Sequence, residues 1–201
     1  VRRALLLLVF LALAAAPASG ALDSIVAKVD REVLTWSEVL QEREVLLATG
    51  NPDGGLSLEA IREEMVRRTL MALEAERQLL RMDPAGVEEQ VEDWADRGGA
   101  EFWDSLQRFG IDRRWLEARA RRVLLAEQFR VAMRELTFVS EADIRDAYRR
   151  EIGEFAERPA EEAWEAIRAR LAETVFQGEM EEWLERQESQ GRVTRNPLPE
   201  G

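Results

Sequence analysis

From Thr35 to Gln190 the apolar side chains recur at intervals of three and four, and these runs break only at glycine, proline or a capping residue. That spacing lines one face of a 3.6-residue helix, whereas a half-buried strand would need strict alternation. The chain is therefore constrained to fold as a series of amphipathic helices. Thr35-Trp36-Ser37-Glu38 is a capping box opening a helix to about Thr49, with Trp36, Val39, Leu40, Leu46 and Leu47 on one side. After the turn-forming Gly50–Gly55 loop, Ser57 caps a long helix to about Met82 that carries Ile61, Met65, Leu70, Leu73 and Leu80. Asp83-Pro84 starts a third, with Val87, Val91 and Trp94, which Gly98-Gly99 ends.

Phe102, Trp103, Leu106 and Phe109 mark a short helix closed by Gly110, and Ile111-Asp112 begins one that runs through Trp115, Leu116, Val123, Leu124 and Phe129 to Leu136. Ser140-Glu141-Ala142-Asp143 caps the next, with Ile144, Tyr148, Ile152 and Phe155. The last begins near Pro159 and runs to about Gln190, with Trp164, Ile167, Leu171, Met180, Trp183 and Leu184. Strand signals are few. Ile25, Val26 and Val29, then Val33 and Leu34, flank an Asp30-Arg31-Glu32 turn and predict a hairpin, and Val193 lies in a possible terminal strand. The expected fold is mainly α, a compact multi-helix domain with a small N-terminal β-hairpin.

Composition narrows the chemistry. With no histidine and no cysteine, a Ser-His-Asp triad, an imidazole-bound zinc site, thiol catalysis and disulfides are excluded. A formal charge of −12 argues against nucleic acid or an anionic membrane surface as partner. The Asn51-Pro52-Asp53 loop has Arg62 at its twelfth position, where a calcium-binding EF-hand needs glutamate. Adjacent pairs such as Glu88-Glu89, Glu161-Glu162 and Glu181-Glu182 diverge around a helix and chelate poorly. No catalytic, metal or cofactor residue is therefore assigned.

Arg2-Arg3, the apolar run Ala4 to Ala16 and the small residues Ala18 and Gly20 have the layout of a signal peptide over residues 1–20. Thirteen helical residues would span only about 20 Å, short of the roughly 30 Å needed by the alternative, a membrane anchor. Cleavage would leave 26 basic against 40 acidic side chains, or −14, in an exported, periplasmic protein without disulfides. About 180 residues then remain, enough for a substantial core.

Ile25-Val26-Ala27-Lys28-Val29-Asp30, then Glu32-Val33-Leu34-Thr35 running straight into Trp36-Ser37-Glu38-Val39, resembles the opening of SurA-type periplasmic chaperones. The long Ile61–Leu80 helix and the glycine-joined pair Phe102–Phe109 and Ile111–Leu136 are similar to that family's following segments. So are Val139-Ser140-Glu141-Ala142-Asp143-Ile144 with Tyr148, and the closing stretch Ile167 to Leu171, Trp183-Leu184 and Arg192-Val193. In most relatives a parvulin-type prolyl isomerase domain sits before the last helix. Here Phe155 is followed by Ala156-Glu157-Arg158-Pro159 and the helix begins.

The resemblance implies a chaperone body without its isomerase, whose hairpin pairs with the C-terminal strand so that the last helix folds back on the first ones. Residues 21–158 would form the helical chaperone domain, 159–196 the long helix and strand packing back on it, and 197–201 a tail. It implies an ATP-independent holdase for unfolded polypeptides or outer-membrane protein precursors, with no enzymatic activity. The alternatives are a helical adaptor for one envelope protein and a degenerate prolyl isomerase.

Between Ala160 and Gln190, nine glutamates outnumber three arginines, and Trp164, Met180 and Trp183 are interleaved with them. These three are the candidate client-binding residues, since large and flexible apolar side chains adapt to varied sequences. The competing assignment is core, with the glutamates as a solvated face. Arg108, Arg113, Arg114, Arg119, Arg121 and Arg122 form a basic stretch read as pairing with acidic helices, against the alternative of an anion-binding patch.

Overall fold

The two ends of the chain meet in one sheet. The computed structural model describes residues 23–151 and 159–199. The expected leader over residues 1–20, and Ile152 and Phe155 of the expected sixth helix, lie outside the described residues. β1 (Ile25–Val29) and β2 (Glu32–Thr35) form the antiparallel hairpin, and β3 (Val193–Arg195) pairs with the other side of β1. The order is β2-β1-β3. A register shift between Ile25 and Ala27 breaks the strand's alternation there, so that Val26 and Ala27 are both buried with Val29.

The hairpin turn is tied to the far terminus. Asp30 adopts φ 52, a left-handed conformation aspartate tolerates, and its amide donates to the Arg192 carbonyl at 2.7 Å. Its carboxylate accepts from Arg192 Nε at 3.0 Å and Nη2 at 2.6 Å. The hydrogen bonds from Arg192 hold the Asp30 carboxyl below its ordinary range against the opposing effect of desolvation, with further attraction from Arg77. Arg192 also bonds to Gln187 and lies 3.7 Å from Glu74, so the hairpin, the second helix and the end of the last helix converge on one guanidinium.

The capping chemistry works as the residue types require. α1 (Trp36–Ala48) starts on a complete capping box: Glu38 N–H donates to the Thr35 hydroxyl and Thr35 N–H to Glu38 Oε2. α2 (Leu58–Arg77), α3 (Pro84–Gly98) and α5 (Arg113–Leu136) are capped by Ser57, Asp83 and Asp112. The short α4 (Phe102–Gln107) lies between α3 and α5, followed after α5 by α6 (Glu141–Glu151) and α7 (Ala160–Ser189). Gly98 permits the tight turn into α4, because a Cβ there would sit 2.4 Å from the Phe102 ring and 2.8 Å from the Ala48 carbonyl.

Two expectations shift by a turn. α2 stops at Arg77 instead of reaching Met82. Leu79 takes φ 60, and the Leu79 and Leu80 amides return to the Glu76 and Ala75 carbonyls, a Schellman close with leucine in glycine's usual place. Leu80 and Met82 still pack on the core, from the connecting turn. Phe109 lies beyond the end of α4 and is exposed, so it does not extend that helix's apolar side.

Three groups of buried side chains follow. The main core joins the sheet to α1, α2, α5 and the second half of α7 through residues such as Val29, Ile61, Leu70, Phe129 and Phe176. A second, under α3 and α4, holds Val45, Val91, Trp94, Phe102 and Leu116. The third is small: Ile144, Ala147 and Ile167 clamp α6 to the first half of α7, with Tyr148, Trp164 and Leu171 around them. α6 and this half of α7 thus form an arm with its own core. Replacing Arg192 with alanine removes charge-assisted bonds to Asp30 from a largely buried guanidinium. It should lower unfolding free energy by about 2 kcal/mol, read as a lower urea midpoint with unchanged slope.

Candidate functional site

A carboxylate lies inside the body. Glu42 of α1 is only 3% exposed, on the same side as Val39, Val45 and Leu46. Arg119 of α5 grips it with two bonds of 2.7 Å, Nε to Oε2 and Nη2 to Oε1, and Arg68 of α2 adds a third contact at 2.9 Å. The other face of the Arg119 guanidinium stacks on Trp94 of α3, 4.3 Å from the ring centroid. Desolvation alone would push the Glu42 carboxyl up. Arg68 and Arg119 outweigh it, and the group is pulled down from its ordinary 4.5 to about 2.

A nucleophile or general base needs a free lone pair facing a substrate space, and Glu42 spends its oxygens on two arginines. Among the described residues no buried side-chain polar atom lacks a partner. The cluster is a clamp between helices, and of its charged groups only Arg119 stood out in the sequence, within the basic stretch. The one available signal was position: Glu42 falls three residues after Val39 and three before Val45, inside the apolar stripe.

The basic stretch resolves mostly into pairs. Arg113 meets Glu117 of its own helix at 3.1 Å and, across a groove of about 700 Å³ between α3 and α5, Glu92 at 2.8 Å and Glu88 at 3.6 Å. Arg121 reaches Glu76 at 3.4 Å and Arg122 reaches Glu32 at 3.8 Å. Arg108 and Arg114 make no ion pair among the described residues. The described residues contain no group of three or more acidic side chains placed to hold a metal.

The remaining candidate is apolar, and it lies where the arm leaves the body. A cleft of about 560 Å³ opens between the α5–α6 link and α7. Phe138 and Val139 of the link form one side, Leu171 and Val175 of α7 another, and Asp143, Asp146, Arg149 and Arg150 of α6 the rim. Phe138 is 78% exposed and Leu136, two residues before it, is also 78% exposed. Side chains this apolar are left in water only at a cost, which makes this region a candidate contact surface.

The link is anchored at both ends. Thr137 Oγ1 donates to Glu179 Oε2 at 3.0 Å, Arg134 bonds to Glu173 at 3.0 Å, and the Arg134 guanidinium stacks on Phe176, 4.6 Å from its centroid. Ser140 caps α6, accepting from the Asp143 amide at 3.1 Å. Phe138 is therefore held out by its neighbours' contacts.

The sequence-derived candidates are not brought together here. Met180 and Trp183 are buried in the main core, Trp183 against Phe129 with ring centroids 4.7 Å apart, so neither presents an open binding surface. Trp164 is partly buried in the arm, 6.2 Å from Tyr148. All three follow the helical stripe inward, the competing assignment. Phe138 escaped notice because it falls between helices, where periodicity has no face to assign, and Leu136 because it was read only as the end of its helix.

The Glu42 clamp has a pH signature. Because its folded pKa is depressed, the stability it confers is full above about 4.5 and is lost as pH falls through about 2. Over that interval the wild-type chain should lose about 3 kcal/mol more than Glu42→Gln does, measured by denaturant unfolding at each pH. At neutral pH Glu42→Gln should itself be destabilised by about 3 kcal/mol or more.

Compared with family models, with curated proteins and with solved structures, the chain finds no match.

Proposed function

We propose that the chain is an ATP-independent chaperone of the periplasm, a holdase that keeps unfolded polypeptides or outer-membrane protein precursors from aggregating, without prolyl isomerase activity. The reading rests on the resemblance drawn from the sequence and on one structural observation: Phe138 and Leu136 stand in solvent beside a mixed-polarity cleft. A holdase must offer apolar surface to many sequences while remaining soluble. An exposed aromatic in an open groove with charged rims meets the first need, and the acidic excess of the chain meets the second. Transient clients would bury Phe138, Val139, Leu171 and Val175 and leave the rim charges in water.

The test is suppression of aggregation when a denatured outer-membrane protein is diluted into buffer with the purified chain. Suppression near stoichiometric amounts is expected, and Phe138→Ser with Leu136→Ser should remove most of it while leaving helical content unchanged, since both side chains are exposed. No suppression by the wild-type chain at a several-fold excess would overturn the reading. Tight capture of one folded envelope protein, with no affinity for unfolded chains, would replace it with the adaptor.

A further inference from the structure

The rim of the cleft has a charge pattern of its own. α6 carries its cleft-lining acids, Asp143 and Asp146, toward its N-terminus and its cleft-lining bases, Arg149 and Arg150, toward its C-terminus. All four are exposed. They balance to zero in a chain whose formal charge is −12. Their contacts are local: Asp143 accepts from the Ser140 hydroxyl at 2.6 Å, Arg149 pairs with Asp146 at 3.2 Å, and Arg150 Nε donates to the Asp146 carbonyl at 3.2 Å. Acid first and base last suits the helix's own dipole. That accounts for the order of signs and leaves Phe138 in water.

A helix that is acidic at one end and basic at the other is complementary to an antiparallel copy of itself. A two-fold axis crossing α6 near Ala147 would set Asp143 opposite Arg150 of the partner subunit, and Asp146 within a turn of Arg149 of the partner subunit, each contact occurring twice. We propose that this face of α6 is where two copies of the chain associate, antiparallel about such an axis, covering Phe138 and the cleft beside it. The occupant is a second copy because the match is between α6 and itself, as an isologous interface requires. The net negative charge of the whole chain opposes association, and a face whose own charges balance escapes that repulsion. The dimer goes beyond the chaperone reading. It would store the cleft covered, and a client would have to compete with the partner subunit for it.

The experiment is sedimentation of the purified chain over a concentration series at low salt, with two charge-reversed variants. Asp143→Arg with Asp146→Arg makes the rim wholly basic, and Arg149→Glu with Arg150→Glu makes it wholly acidic. The wild-type chain should dimerise with rising concentration and dissociate as salt is added. Each variant alone should be monomeric, its dissociation constant raised at least about 100-fold, and their equimolar mixture should dimerise again. Phe138→Ser should weaken the wild-type dimer as well.

A wild-type chain that stays monomeric throughout overturns the proposal, as does a dimer indifferent to the reversals or a mixture that fails to reassociate. The two readings fail separately. Aggregation suppression lost in Phe138→Ser by a chain that never dimerises would leave the cleft to clients, whereas a charge-dependent dimer without suppression would leave it to the partner subunit alone.

Discussion

One buried carboxylate determines how the helices of the body sit against one another. Glu42 is gripped from α5 by a forked guanidinium and from α2 by a second, and the first of these stacks in turn on a tryptophan of α3. A two-pronged arginine–carboxylate contact tolerates little rotation of either partner. With that geometry held, α1 must turn Val39, Val45 and Leu46 inward, and α5 must lay Leu116 and Ala120 under α3. The sheet core and the α3–α4 core lie on either side of this contact. A one-residue rotation of α1 would break both packings and strand an ion pair in the interior, where either charge alone is costly.

Much of this architecture is legible in the sequence. Serine, threonine and aspartate at helix starts, glycine at the ends of α3 and before α5, and the β-branched runs about Asp30 each act through neighbours a few residues away, so a linear reading finds them. What it missed depends on partners far along the chain. Glu42 sits among Gln41, Arg43 and Glu44, and the partner that explains its place in the apolar stripe, Arg119, stands seventy-seven positions on. Leu79 closes α2 in a conformation glycine usually takes, and nothing local announces it. Met180 and Trp183 lie on a helical stripe that favours a core over a binding face, and the packing of Trp183 on Phe129 of α5 places them there.

The molecule divides its apolar surface unequally. Most large side chains of the body are buried in one of two continuous cores, while among the described residues the arm buries only Ile144, Ala147, Ala163 and Ile167 completely and carries an exposed phenylalanine at its base. α7 belongs to both regions, with Ile167 in the arm and Phe176, Met180 and Trp183 in the body. Small, separately cored units that share one helix with a larger body are the parts expected to open first under stress, since few buried contacts oppose it. The surface proposed for client binding thus lies where the fold resists rearrangement least.

The closing of the sheet by β3 sets an order of events in time. β1 is the central strand, and the residue that locks its turn, Arg192, follows Asp30 by 162 positions. At translation rates of about 5 to 20 residues per second, roughly 10 to 30 seconds separate the synthesis of the two halves of this contact. Throughout that interval β1 lacks its β3 neighbour, and an isolated hairpin is marginal in water. The central strand gains its second neighbour only once residues 193–195 have been made, and until then the polypeptide lacks the contact that locks its hairpin turn.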